Sequence, residues 1–138
     1  MNDDKFEELF FSKFTIDPSG WFYSKIAGMT HPNRDGSNRI ETLYAFCEPL
    51  DRLELIPEPD NPIDPEAIAV YLEKTGDRLG YLPERTAHDL LARMKDGPGS
   101  KWFGVFRASY RDETQKHIVG ATIIIAQAYA PRRRGLPL

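Results

Sequence analysis

The chain has 138 residues, with 18 Lys/Arg against 21 Asp/Glu, a formal net charge of −3, and 41% hydrophobic residues including 8 Phe, 6 Tyr and 2 Trp. That length fits one domain with a real core, and the charge argues against a sequence-blind nucleic-acid binder that works by charge alone. The lone Cys47 excludes an internal disulfide framework; with no basic apolar leader at Met1-Asn2-Asp3-Asp4 and no apolar stretch longer than Ile118 to Ala130, a soluble, cytoplasmic protein with no membrane association is expected.

Residues 5–14 place Phe6, Leu9, Phe10, Phe11 and Phe14 at near-helical spacing, which predicts a short amphipathic helix stopped by Asp17-Pro18-Ser19-Gly20. Trp21 to Met29 reads as a strand running into Gly28. A loop through Pro32 and Gly36 leads to Arg39–Phe46, whose pattern suits a helix. Leu53–Ile56 alternates and is a strand candidate. Ala67–Leu72 and Arg78–Leu82 form a hairpin about Thr75-Gly76-Asp77, where Gly76 supplies the positive φ of a tight turn.

Pro83 opens a helix over Glu84–Lys95, with Ala87, Leu90, Leu91 and Met94 on one face and Gly97-Pro98-Gly99 ending it. Residues 102–110 and 118–127 alternate and are rich in Val, Ile and aromatics, as two antiparallel strands would be. The order suits a small α+β fold, mostly antiparallel, with two to three helices. It divides as a helical extension over 1–20, one domain over 21–128 and a flexible basic tail over 129–138.

Charge is unevenly spread. Residues 101–138 hold seven Lys/Arg against two acids, so residues 1–100 carry −8, and residues 48–66 alone hold seven acids and one Arg. A nucleic-acid backbone has to approach over Lys25, Arg34, Arg39 or the C-terminal half, where Arg132-Arg133-Arg134 makes a basic tail.

The most informative stretch is Ile56-Pro57-Glu58-Pro59-Asp60-Asn61-Pro62-Ile63-Asp64-Pro65-Glu66, followed by the strand Ala67–Leu72 and by Gly80-Tyr81-Leu82-Pro83. Its prolines restrict φ, Asp60 and Asn61 favour Asx turns, and Asp64 is suited to cap a turn opened by Pro65. The segment therefore reads as a rigid loop that aims Asp60, Asn61 and Asp64. This run, together with Ile26-Ala27-Gly28-Met29-Thr30-His31 and Asn33–Arg39 upstream, resembles the HIRAN domain family over about residues 22–95 and more loosely over 101–127.

The resemblance implies an OB-like antiparallel β-barrel and a non-catalytic module that binds single-stranded DNA at its 3′ end, in DNA repair or processing. It implies that Asp64 and Asn61 read the free end of the bound strand and that Tyr81 lies beside its last nucleotide. A carboxylate there accepts a hydrogen bond from a 3′-hydroxyl and repels a 3′-phosphate. The family occurs beside helicase-like ATPases and nucleases, which are the implied partners. The first strand differs from the family's Arg and paired aromatics; Tyr23 is the candidate stacking ring and Lys25 the candidate phosphate contact, with Arg34 and Arg39 gripping the backbone.

Each of these residues has a plainer reading: Asp64 as a turn cap, Asn61 as an Asx turn, Tyr81 as strand packing, Arg39 paired to Glu41 or Asp35. Two other functions compete. A protein-interaction module would use the acidic strip and an exposed Phe6/Phe10/Phe14 face to dock onto a helicase or nuclease. A metal-dependent nuclease would need Asp60, Asp64 and Glu66 within reach of one ion. Residues 69–74 lack the Glu-x-Lys such nucleases carry, and Cys47, His31, His88 and His117 lack zinc-ligand spacing. No Gly-rich phosphate loop is present, so any ATP hydrolysis is expected to belong to a partner, and no metal or other cofactor is expected.

Overall fold

The computed structural model describes residues 1–94, 101–111, 114 and 118–129. The Gly97-Pro98-Gly99 helix stop, His117 and the Arg132–Arg134 tail lie outside them. Among the described residues three helices, α1 (Asp3–Lys13), α2 (Arg39–Phe46) and α3 (Glu84–Met94), accompany six strands. These are β1 (Ile16–Ile26), β2 (Arg52–Pro57), β3 (Ile68–Leu72), β4 (Arg78–Tyr81), β5 (Trp102–Arg111) and β6 (Ile118–Ala128). All pairings are antiparallel, in the order β1-β6-β5-β2-β3-β4. Among the described residues no helix is long and apolar enough to cross a membrane.

The core has two parts because β6 is buried on both faces. Successive strand residues point to opposite sides, so Ile123 and Ile125 join one cluster while Ile124 and Ala126 join the other. The larger cluster packs the sheet against Leu43 of α2 and Ala87 and Leu90 of α3. The smaller one packs Phe6 and Phe10 of α1 against Ile16, Phe103 and Val105. The N-terminal phenylalanines therefore fill a core, and the exposed Phe6/Phe10/Phe14 face is not formed; Phe14 also packs there, half-buried.

Helix ends follow the capping rules. Asn2 accepts from the Lys5 amide at 2.8 Å to start α1, and Asn38 accepts from the Ile40 and Glu41 amides at 2.9 and 3.1 Å to start α2. Asp17-Pro18-Ser19-Gly20, expected to stop a helix, is instead the irregular first half of β1, which begins at Ile16 and shifts register before Trp21. An edge strand tolerates the missing Pro18 N–H, and Asp17 satisfies the Ser19 amide at 3.0 Å.

The closed barrel is not formed. β1 and β4 remain the two edges, and they touch at one antiparallel bridge, Ala27 with Tyr81. Two backbone hydrogen bonds make it, Ala27 N to Tyr81 O at 2.7 Å and Tyr81 N to Ala27 O at 2.9 Å. Gly28, at φ 72°, then turns the chain away, and β4 has only four residues, so neither edge can extend the contact. Beside the sheet, burial pushes the Cys47 thiol up to about 12, with the Asp51 charge adding to the effect.

Candidate nucleic-acid interface

The bridge sets Tyr81 beside the proline-rich loop. Glu58 N bonds to Ala67 O at 2.9 Å and Asn61 N to Glu58 O at 3.0 Å, closing residues 58–67 into a compact Ω-shaped turn. Asn61 Oδ1 accepts from the Ile63 and Asp64 amides at 2.9 and 3.0 Å, which is the Asx turn its sequence position favours. Between this turn and the loop after Gly28 lies an open pocket of about 630 Å³, lined by Arg34, Arg39, Glu58, Asn61, Arg78 and Tyr81 among others.

Glu58 organises one wall. Its carboxylate accepts from Asn61 Nδ2 at 3.0 Å, from the Tyr81 hydroxyl at 2.9 Å and from Arg78 Nη1 at 3.1 Å. Arg78 also donates to the Tyr81 hydroxyl at 2.9 Å. Burial and the bond to Glu58 raise the pKa of the Tyr81 phenol above its usual value.

Arg39 forms the floor. Its side chain, on the first residue of α2, is only 6% exposed. Nε donates to Asn33 Oδ1 at 2.8 Å and Nη1 to Gly28 O at 2.7 Å, and the guanidinium lies 5.6 Å from the Tyr81 ring centroid. Among the described residues no carboxylate lies within salt-bridge distance of it, so the pairing with Glu41 or Asp35 is absent. Burial and the charge of Arg78 both depress its pKa. Asn33 holds the two arginines in register, accepting from Arg78 Nε at 3.3 Å and donating to Arg78 O at 3.1 Å.

The expected site residues are thus divided. Asn61, Tyr81, Arg34 and Arg39 share this pocket. Asp64 is turned away: Oδ1 caps the Glu66 amide at 2.9 Å and Oδ2 meets His88 Nε2 of α3 at 3.0 Å. The Glu66 amide, then His88, lower the Asp64 carboxyl, and the bond to Asp64 raises His88. Tyr23 and Lys25 line a separate groove of about 600 Å³ with Arg107 and Thr122. There the Tyr23 hydroxyl donates to Glu7 at 2.9 Å, and Lys25 sits 5.1 Å from the Tyr110 ring centroid. Asp60 lines the pocket while Asp64 and Glu66 both face His88, so the trio needed for a nuclease ion does not converge.

Asn33, Arg78 and the hub role of Glu58 were not legible in the sequence. Glu58 makes a direct test of the wall, since Glu58→Gln keeps its shape and removes its charge. Hydrogen bonds to charged groups contribute roughly 1.5–3 kcal/mol each, and partial exposure here reduces that to a net loss of about 1–2 kcal/mol. With Arg78 released from its counter-ion, affinity for a nucleic-acid strand should rise about threefold at low salt and return toward wild type as salt screens it. Urea denaturation reads the first effect and fluorescence anisotropy the second; weaker binding would show that Glu58 itself contacts the ligand.

The HIRAN domain family model matches residues 19–121. The fold is similar to that of a Lactobacillus plantarum protein, at 17% identity and TM-score 0.54, covering 76% of this chain and 91% of that one. It is also similar to the HIRAN domain of human HLTF, at 17% identity and TM-score 0.51, covering 79% and 77% of the two chains. No curated protein matches the sequence.

Proposed function

The chain belongs to the HIRAN domain family of nucleic-acid-binding modules, and from that premise we propose that it binds single-stranded DNA without catalysis, taking one nucleotide into the Asn61–Tyr81 pocket. The observation that carries this reading is Arg39: a buried guanidinium with no carboxylate within salt-bridge distance among the described residues, at the floor of an open pocket, is a ready partner for a phosphate. Arg34 supplies an exposed second cation, the Tyr81 ring a stacking face and Asn61 an amide edge. The volume, about 630 Å³, suits a nucleotide.

Recognition of a 3′ end is part of the proposal, and it makes a demand on Asp64. Its carboxylate faces the Glu66 amide and His88 and does not line the pocket, so reading a 3′-hydroxyl there requires the side chain to leave His88 and turn toward Asn61. Action in the cytoplasm, in repair or processing beside a helicase-like ATPase or nuclease, completes the reading. Docking through the N-terminal phenylalanines has lost its surface, since Phe6 and Phe10 are fully buried.

The test is fluorescence anisotropy with a ~10-nucleotide single strand ending in 3′-hydroxyl or 3′-phosphate, across a salt series. Wild type is expected to bind and to weaken steadily as salt rises. Arg34→Ala, a surface change, should cost about tenfold, within the 1–3 kcal/mol range of a good phosphate or base contact. Asp64→Asn should erase any preference for the hydroxyl end. No binding at low salt sinks the DNA reading; binding indifferent to Arg34→Ala moves the interface elsewhere, to the Tyr23–Lys25 groove.

A further inference from the structure

The other side of the proline-rich loop carries a second cluster that the pocket does not use. Donor atoms of Asp64, Glu84 and His88 all lie within 4.8 Å of one another. Glu84 and His88 are four residues apart on α3 and therefore share a face, onto which the loop lowers Asp64. His88 Nε2 is 3.0 Å from Asp64 Oδ2, and its Nδ1 is 3.3 Å from Glu66 Oε2. Among the described residues no Lys or Arg lies within salt-bridge distance of Asp64, Glu66 or Glu84. Three carboxylates thus share one imidazole, which leaves the cluster short of positive charge.

We propose that Asp64, Glu84 and His88 form a binding site for a first-row divalent transition-metal ion, with zinc as the representative. The donor set is one imidazole nitrogen and two carboxylates, which suits zinc or its neighbours and not the all-oxygen sites of calcium or magnesium. Glu66 takes Nδ1–H and so fixes the ring, the usual support of a metal-bound histidine, while the ion displaces the Nε2 proton that Asp64 accepts in its absence and takes the freed lone pair. Asp64 and His88 are only partly exposed and stand on a proline-stiffened loop and a helix, so small side-chain rotations complete the site. Three protein ligands leave further positions open to water.

The bound ion makes two differences. It fastens the loop to α3, and it offsets part of the acidic strip over residues 48–66. The site shares Asp64 with the proposed reading of a 3′ end but does not rest on that reading, and it is tested without nucleic acid.

The full chain, stripped of metal, is titrated with Zn²⁺ by calorimetry and with Co²⁺ by visible absorption, and its melting temperature is followed with and without Zn²⁺. One equivalent is expected to bind, with a Co²⁺ spectrum of nitrogen and oxygen ligation and a rise in melting temperature. His88→Ala and Glu84→Gln should each weaken binding at least about tenfold and abolish the thermal shift, while Asp60→Asn and Cys47→Ser keep both. Circular dichroism of the metal-free variants establishes that they are folded. Absence of one-equivalent binding in wild type, or binding unchanged by His88→Ala and Glu84→Gln, overturns the site.

Discussion

Gly80→Ala is expected to destabilise the fold by about 3–5 kcal/mol, combining backbone strain of order 1–3 kcal/mol with overpacking of similar size. Gly80 has φ 156°, and a Cβ built there would stand 2.4 Å from the Ala27 carbonyl oxygen and 2.7 Å from Ile26 Cγ2. The first neighbour is backbone and belongs to the bridge between the sheet edges, so it cannot yield without breaking the Ala27–Tyr81 pair. Gly76 is the control: its φ is 78° but nothing lies within 4 Å of a Cβ, so Gly76→Ala should cost only about 1 kcal/mol. Urea denaturation of the two variants separates the terms. Equal, small losses would mean that the edge contact contributes little and that the strands part freely.

Phe10→Ala is expected to cost about 3–5 kcal/mol, as removal of a buried aromatic ring does. Phe10 is fully buried, with its ring centroid 5.2 Å from Phe11, 5.6 Å from Phe14 and 6.3 Å from Trp21. The loss should appear as a lower urea midpoint and a change in Trp21 emission, since the indole loses a packing neighbour. A helix that merely rested on the domain would tolerate the change. Unchanged stability would make α1 a detachable segment and return its phenylalanines to the role of a docking face.

Local patterns disclosed the elements that rest on local rules. The 3.6-residue spacing of Ala87, Leu90, Leu91 and Met94 placed α3, and Thr75-Gly76-Asp77 placed the β3–β4 turn. The start of β1 was missed because Asp17-Pro18-Ser19-Gly20 has the chemistry of a stop, and only pairing with β6 makes it strand. Barrel closure was beyond reach for the same reason: it depends on how far β1 and β4 run alongside each other.

The site divides the same way. Asn61 and Tyr81 were visible because the proline-rich loop and the strand after it carry their own signature. Arg78 and Asn33, 45 residues apart, meet only across the finished fold. The loop's own signature aims Asp64 at the pocket, yet His88, 24 residues on, draws its carboxylate to the opposite side. Spacing along a chain cannot reveal a pair of that kind.

The pairing of β1 with β6 sets a timetable for assembly. Ile16 lies opposite Ala128, so the first strand to leave the ribosome has no partner until the last has followed it. Until then Phe6 and Phe10 of α1 lack the Ile124 and Ala126 side chains of β6, and neither half of the core is complete. Long-range pairing of this kind slows folding and prolongs the exposure of apolar surface. The sheet is therefore complete only once β6 is available to lie between β5 and β1.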